Sequence, residues 1–147
     1  MKILLDTNVV LDLLLNREPF SNEAVKIFSL VESKKVEAFV CATTITTIYY
    51  LISKSLNKNQ SDKVIEDLLQ LFNVAQVNKD VLLASLKNNG KDFEDSVLYT
   101  SAKFANVDVI ITRDKKGFTN SKVSVQEPKE FLAAFHHLVN SGVNQKI

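Results

Sequence analysis

Glycine and proline are scarce, three and two in 147 residues, which excludes a flexible linker, a collagen-like repeat or a low-complexity tract. The single cysteine, Cys41, excludes an internal disulfide. Its place in the apolar run VEAFVCA marks a buried core thiol rather than a nucleophile. The two histidines, His136 and His137, are adjacent in a helical pattern, and neighbours on a helix do not face one ligand point, so there is no credible zinc set. No apolar run reaches membrane-spanning length, and Asp6 falls inside what would have to be the apolar region of a signal peptide. The expectation is a soluble, cytoplasmic protein with no membrane partner. An excess of one charge is missing too: 18 Lys+Arg against 17 Asp+Glu leave a net charge of +1, which argues against broad coating of a polyanion.

What is there is the balance of one ordinary globular domain, 46% hydrophobic and 24% charged, expected to span residues 1–140 with a frayed tail over 141–147. Short apolar runs alternate with helical patterns. KILLD (2–6) reads as a strand, followed by a helix over VVLDLLLNR with Asn8 placed to cap it. SNEAVKIFSLVESKK carries Ala24, Val25, Ile27, Phe28, Leu30 and Val31 at the spacing of one buried helix stripe, with Lys34 and Lys35 at its solvated end. VEAFVCA reads as a buried strand, TTITTIYYLISKSL as a helix, and SDKVIEDLLQLF as an amphipathic helix capped by Ser61. NVAQV is a short strand and KDVLLASLKNNG a helix closed by Gly90. FEDSVLYTSAKFA is a helix with Asp92 as its N-cap and Asp95 in its first turn. VDVIIT and KVSVQ are strands, and EPKEFLAAFHHLV is a last helix with Pro128 at its first position. Strands joined by helices long enough to cross over predict an α/β protein, a three-layer α/β/α sandwich with a mainly parallel central sheet.

In such a sheet ligands bind beyond the carboxyl ends of the strands. Asp6 and Asp114 each follow an apolar run directly, so their carboxylates emerge at that rim. Asp92, Glu94 and Asp95 open a helix whose start can face the same rim. Helix capping, worth about 0.5–2 kcal/mol, explains Asp92 better than a site role and explains Asp95 nearly as well. Asp12 reads as a residue behind the site or in solvent, and Asp108, at the opposite end of its strand, as structural. Two carboxylates about 4 Å apart repel by roughly 4 kcal/mol at an effective dielectric near 20, so three gathered together call for a counter-cation or raised pKa values. Mg²⁺ answers that need: it prefers carboxylate oxygens and keeps waters, one of which can attack a phosphodiester.

LLDTNVVLDLLL resembles the opening of PIN domains, and DFEDSVLYTSAKFANVDVIITRD resembles the second half of the same family's site. The resemblance implies that Asp6, Asp95 and Asp114 are metal ligands and catalytic residues, and that Asn8 supports Asp6. It also implies dependence on Mg²⁺ or Mn²⁺, frequent homodimers, and endoribonuclease activity of the kind found in VapC-type toxins, which pair with a small antitoxin protein. Where many members carry a Glu in the helix after the second strand, this chain has Thr47, whose hydroxyl can bond a water or a phosphate oxygen but carries no charge. Thr44, Thr46 and Thr47 also read as β-branched filler packed against the sheet, Thr46 most of all. Asp92 or Glu94 are the acids available to supply the charge missing at Thr47, and Arg113, Lys115 and Lys116 are the candidates to steady an RNA backbone. Two alternatives stay open. One is a catalytically weak or inactive module binding RNA or a protein. The other is a haloacid-dehalogenase-type phosphatase, whose Asp-x-Asp motif Asp6-Thr7-Asn8 resembles, although Asn8 stands where that chemistry needs an acid.

Overall fold

The computed structural model describes residues 1–88 and 92–145, with the side chains of 143–145 excepted. Five strands, β1 (Lys2–Leu5), β2 (Glu37–Cys41), β3 (Asn73–Ala75), β4 (Val109–Ile111) and β5 (Ser124–Gln126), form one sheet in the order β3-β2-β1-β4-β5. Every pairing is parallel. Seven helices connect them: α1 (Thr7–Leu14), α2 (Ser21–Glu32), α3 (Ala42–Ile52), α4 (Lys58–Leu71), α5 (Lys79–Leu86), α6 (Phe93–Phe104) and α7 (Pro128–Gln145), with a 3-10 turn at Lys115–Phe118.

The three layers follow from the two-residue period of a strand. Ile3 and Leu5 of β1, Ala38 and Val40 of β2, and Val109 and Ile111 of β4 join one core with Val9, Ile27, Phe28, Ile48, Leu68 and Phe131 from α1, α2, α3, α4 and α7. Leu4, Cys41 and Ile110 point the other way, into a second core with Val81 of α5, Val97, Leu98 and Ala102 of α6, and Phe118. Cys41 is fully buried there, as its sequence context predicts.

Several local expectations are corrected. β1 runs into α1 with one residue between them, so the N-cap is Asp6 itself, whose Oδ1 accepts the Thr7 N–H at 2.7 Å. Asn8 lies inside the first turn and is not the cap. Helix α4 begins before Ser61: Asn57 caps it, with Gln60 closing a reciprocal capping box. The Ser61 side chain is buried inside the helix. Val25, expected in the buried stripe of α2, is 49% exposed, and Thr46, expected as filler against the sheet, is exposed and turns its hydroxyl back to the Thr43 carbonyl.

Strand β4 is shorter than VDVIIT. Asp108 bonds Lys2 through both its N–H and its carboxylate, which ends the ladder at that edge and gives the residue its structural role. Helix α7 continues through Gln145, so residues 141–145 are helical rather than frayed. Gly90, the expected end of α5, and residues 146–147 lie outside the described residues. Among the described residues no helix is long and apolar enough to cross a membrane.

Candidate functional site

The chain leaves β1 toward β2 and β3 on one side and returns to β4 and β5 on the other, so the strand order reverses between β1 and β4. That reversal opens a crevice at the carboxyl ends of the two strands. Leu5 pairs with Ile111, and the ladder continues one step as the Asp6 N–H donates to the Ile111 carbonyl at 2.9 Å. The next residues therefore stand side by side. Thr112 donates its hydroxyl to Asp6 Oδ2 at 2.8 Å and accepts the Asp114 N–H at 3.0 Å. Asn8 Nδ2 lies 3.4 Å from the same hydroxyl, and Asn8 Oδ1 is 3.4 Å from the Arg113 N–H. One threonine thus fixes the side chain of Asp6 and the backbone of Asp114.

Asp6, Asn8, Glu94, Asp95, Arg113 and Asp114 line one open cleft of about 310 Å³, together with Thr7 and Arg17. Asp6 is buried, Asp95 half-buried and Asp114 exposed. Burial pushes the Asp6 carboxyl above its ordinary value; the bonds from Thr112 and Thr7 pull it back, and the charge of Asp114 pushes it up. The Asp95 carboxyl is pushed up to about 6, first by burial and then by the charges of Asp6, Asp92, Asp114 and Glu94. Gly117 makes room for it: a Cβ there would collide with Asp95 Oδ2 and stand 3.1 Å from its Cγ. Among the described residues no three acidic, His or Cys side chains are gathered as a closed set of metal ligands.

Asp92 is the N-cap of α6, accepting the Glu94 N–H at 2.8 Å, and does not line the cleft. Thr47 is half-buried on α3 and also lies outside it, whereas Thr44 one turn earlier is buried, its hydroxyl 2.8 Å from that of Thr7. Of the basic candidates only Arg113 reaches the cleft. Lys115 pairs with Glu130 at 3.2 Å, and Lys116 is exposed. Both histidines are exposed on α7.

Two residues were not legible as parts of the site: Thr112 reads as the end of a strand and Arg17 as the end of a helix. Asp12 takes the first of its two expected places, behind the site rather than in solvent. Asp12 is buried, 1% exposed. It accepts Arg17 Nε at 2.8 Å on Oδ1, and Arg113 Nε at 2.7 Å on Oδ2 with Nη2 at 3.2 Å on Oδ1. Arg17 also donates to the Asn8 carbonyl at 3.0 Å, and the Arg113 guanidinium lies over the Phe20 ring, 3.8 Å from its centre. Two guanidiniums are thus held at the cleft by one carboxylate behind it.

A family model described as PIN domain matches residues 2–116. The chain belongs to the PIN-domain family. This PIN domain is similar to Ribonuclease VapC1 of Aquifex aeolicus (strain VF5), 29% identical over 141 residues that cover 93% of this chain and 97% of the relative. Its fold is also that of two solved structures. VapBC-1 from nontypeable Haemophilus influenzae aligns with a TM-score of 0.65 at 24% identity, over 88% of this chain and 99% of that one. FitAcB from Neisseria gonorrhoeae aligns with a TM-score of 0.66 at 22% identity, over 86% and 98%.

Proposed function

We propose that this PIN domain is an endoribonuclease dependent on Mg²⁺ or Mn²⁺, acting as the toxin of a toxin–antitoxin pair. The observation that carries the reading is the meeting of Asp6 and Asp114, from adjacent strands at the switch point, with Asp95 from the start of α6, across one cleft. The donor set is all hard oxygen, which suits Mg²⁺ or Mn²⁺ rather than zinc. Mg²⁺ needs only one or two direct carboxylates and keeps several waters, so an open arrangement fits it. Asp6, Asp95 and Asp114 are the residues that would hold the ion. When bound, it supplies Lewis-acid polarisation of a phosphoryl oxygen and a more acidic attacking water.

The chain's own groups do the rest. Thr112 and the Thr7 N–H hold Asp6 in one orientation and offset part of the upward push that burial gives its carboxyl. Burial and the neighbouring carboxylates push the Asp95 carboxyl up to about 6, a crowding of charge that a divalent cation held by the three aspartates would relieve. Arg17 and Arg113, held at the cleft by Asp12, offer fixed positive charge to an RNA backbone there. Asp6→Asn is expected to abolish Mg²⁺-dependent cleavage of single-stranded RNA by pure protein; cleavage at the wild-type rate would overturn the assignment.

A second reading, a PIN-like module that binds RNA or a protein without cutting, is favoured by Thr47 and by the near-neutral net charge of +1. Calorimetry separates the two readings: an active enzyme binds Mn²⁺ at millimolar concentration or tighter, and an inert module does not. A small antitoxin protein and a second copy of the chain are the partners proposed alongside RNA.

A further inference from the structure

Arg113 belongs to two cavities. One side meets the cleft of the three aspartates; the other meets a neighbouring pocket of about 380 Å³, to which Phe20 and Pro128 contribute apolar surface and Glu23, Glu127 and Lys129 polar groups. Asp12 fixes the plane of the Arg113 guanidinium through two bonds, and one face of that plane lies on the Phe20 ring. Phe20 is still 40% exposed. Among the described residues the side chains of Glu23, Glu127 and Lys129 form no ion pair, so their hydrogen-bonding capacity is free.

We propose that this pocket is a base subsite, receiving one nucleobase of the RNA strand whose neighbouring phosphate lies in the aspartate cleft, with guanine the base it favours. The inference rests on the ribonuclease reading of the cleft and adds where the strand goes next. Glu23 and Glu127 offset the charges of Arg113 and Lys129, so the pocket offers a phosphate no net attraction, and its apolar walls suit a base turned in from the strand. An aromatic ring and a guanidinium plane are the surfaces on which unstacked RNA bases lie. Carboxylates accept from N–H groups at a base edge; guanine presents two such donors side by side, and its carbonyl oxygen is an acceptor for Lys129.

The test uses binding with Ca²⁺ in place of Mg²⁺, so that a cation still balances the aspartates while affinity is read without cleavage. Fluorescence anisotropy is recorded for a labelled single-stranded RNA octamer and for a set in which each position in turn is made abasic. One abasic position is expected to weaken binding to the wild-type chain by about 5- to 150-fold. Phe20→Ala is expected to weaken the intact octamer by a similar factor and to be indifferent to that abasic change. Replacing guanine by adenine at that position is expected to cost the wild type affinity and to cost Glu23→Gln, or a Glu23→Gln/Glu127→Gln pair, much less.

If no abasic position costs more than about twofold, or if Phe20→Ala keeps the wild-type ratio, the pocket serves another class of partner and the proposal falls. The same chains are assayed with Mg²⁺ for cleavage. Binding with the Phe20 signature but no cleavage sinks the nuclease reading and leaves the subsite standing. Cleavage without the signature sinks the subsite alone.

Discussion

Asp95→Asn should make the protein more stable while removing its activity. In the folded chain Asp95 ionises near pH 6 rather than at its ordinary 3.8, because burial and four neighbouring carboxylates all disfavour its charge. At about 1.4 kcal/mol for each tenfold change in acidity, the full shift corresponds to ~3 kcal/mol of destabilisation by the charged form. Asp95 is only partly buried, and solvent screens the repulsion, so about 1 kcal/mol is the value to expect at pH 8. For a chain of this length that is a rise in Tm of about 2–4 °C. The sign follows from the direction of the shift. Below the unfolded value of 3.8 Asp95 is protonated in both states and carries no penalty; the penalty grows as pH rises through the folded value and is complete above it. The advantage of the Asn variant should therefore be absent near pH 3.5, grow between pH 4 and 6, and stay level above 7. Thermal melts of both proteins across that range in EDTA, repeated with Mg²⁺, are the assay. Mg²⁺ should raise the wild-type Tm and close the gap. A variant that is less stable than wild type at pH 8, or a gap that does not change with pH, would refute the electrostatic account of the cleft.

Thr112→Val removes the hydroxyl bonded to Asp6 Oδ2, should raise the Asp6 carboxyl further, and should weaken Mn²⁺ binding by about 10- to 100-fold in calorimetry. Gly117→Ala should leave the urea midpoint nearly unchanged but turn Asp95 aside, lowering metal-dependent cleavage far more than RNA binding. Asp12→Ala strands two guanidiniums and should cost about 2–3 kcal/mol in urea melts, below the range for fully buried pairs because Arg17 and Arg113 reach solvent. Asp108→Ala, at the far end of the sheet, should lower stability through the lost Lys2 contact and leave cleavage per folded molecule unchanged.

The sheet and the order of its elements were legible because β1, β2 and β4 are apolar runs bounded by polar residues and helices such as α2 repeat at three and four residues; the short edge strands β3 and β5 and the β-branched α3 were placed by their position between those elements. Asp6 and Asp114 were legible from those apolar runs, since an acid that ends a buried run has only the sheet rim to occupy. Helix starts were less so: Ser61 has the chemistry of a cap, but Asn57, four residues earlier, takes the role with Gln60 closing the box. The groups that orient the acids were not legible, because their partners are remote in sequence. Thr112 and Asp6 are 106 residues apart, and Arg113 and Asp12 are 101 apart. No local period records such a pairing; it exists only once β1 and β4 lie side by side.

The junction of β1 and α1 has no spare residue, so Asp6 ends a strand, caps a helix and faces the cleft at once. Alanine at Asp6 removes the cap and the cleft carboxylate together, whereas asparagine can keep the cap and lose only the charge. At Asp95, which is not the cap of α6, either change removes a crowded charge without touching a helix start. A change of side-chain size at the junction is therefore felt by strand, helix and cleft together: Asp6→Ala protein should be recovered at lower yield than Asp6→Asn or Asp95→Asn protein.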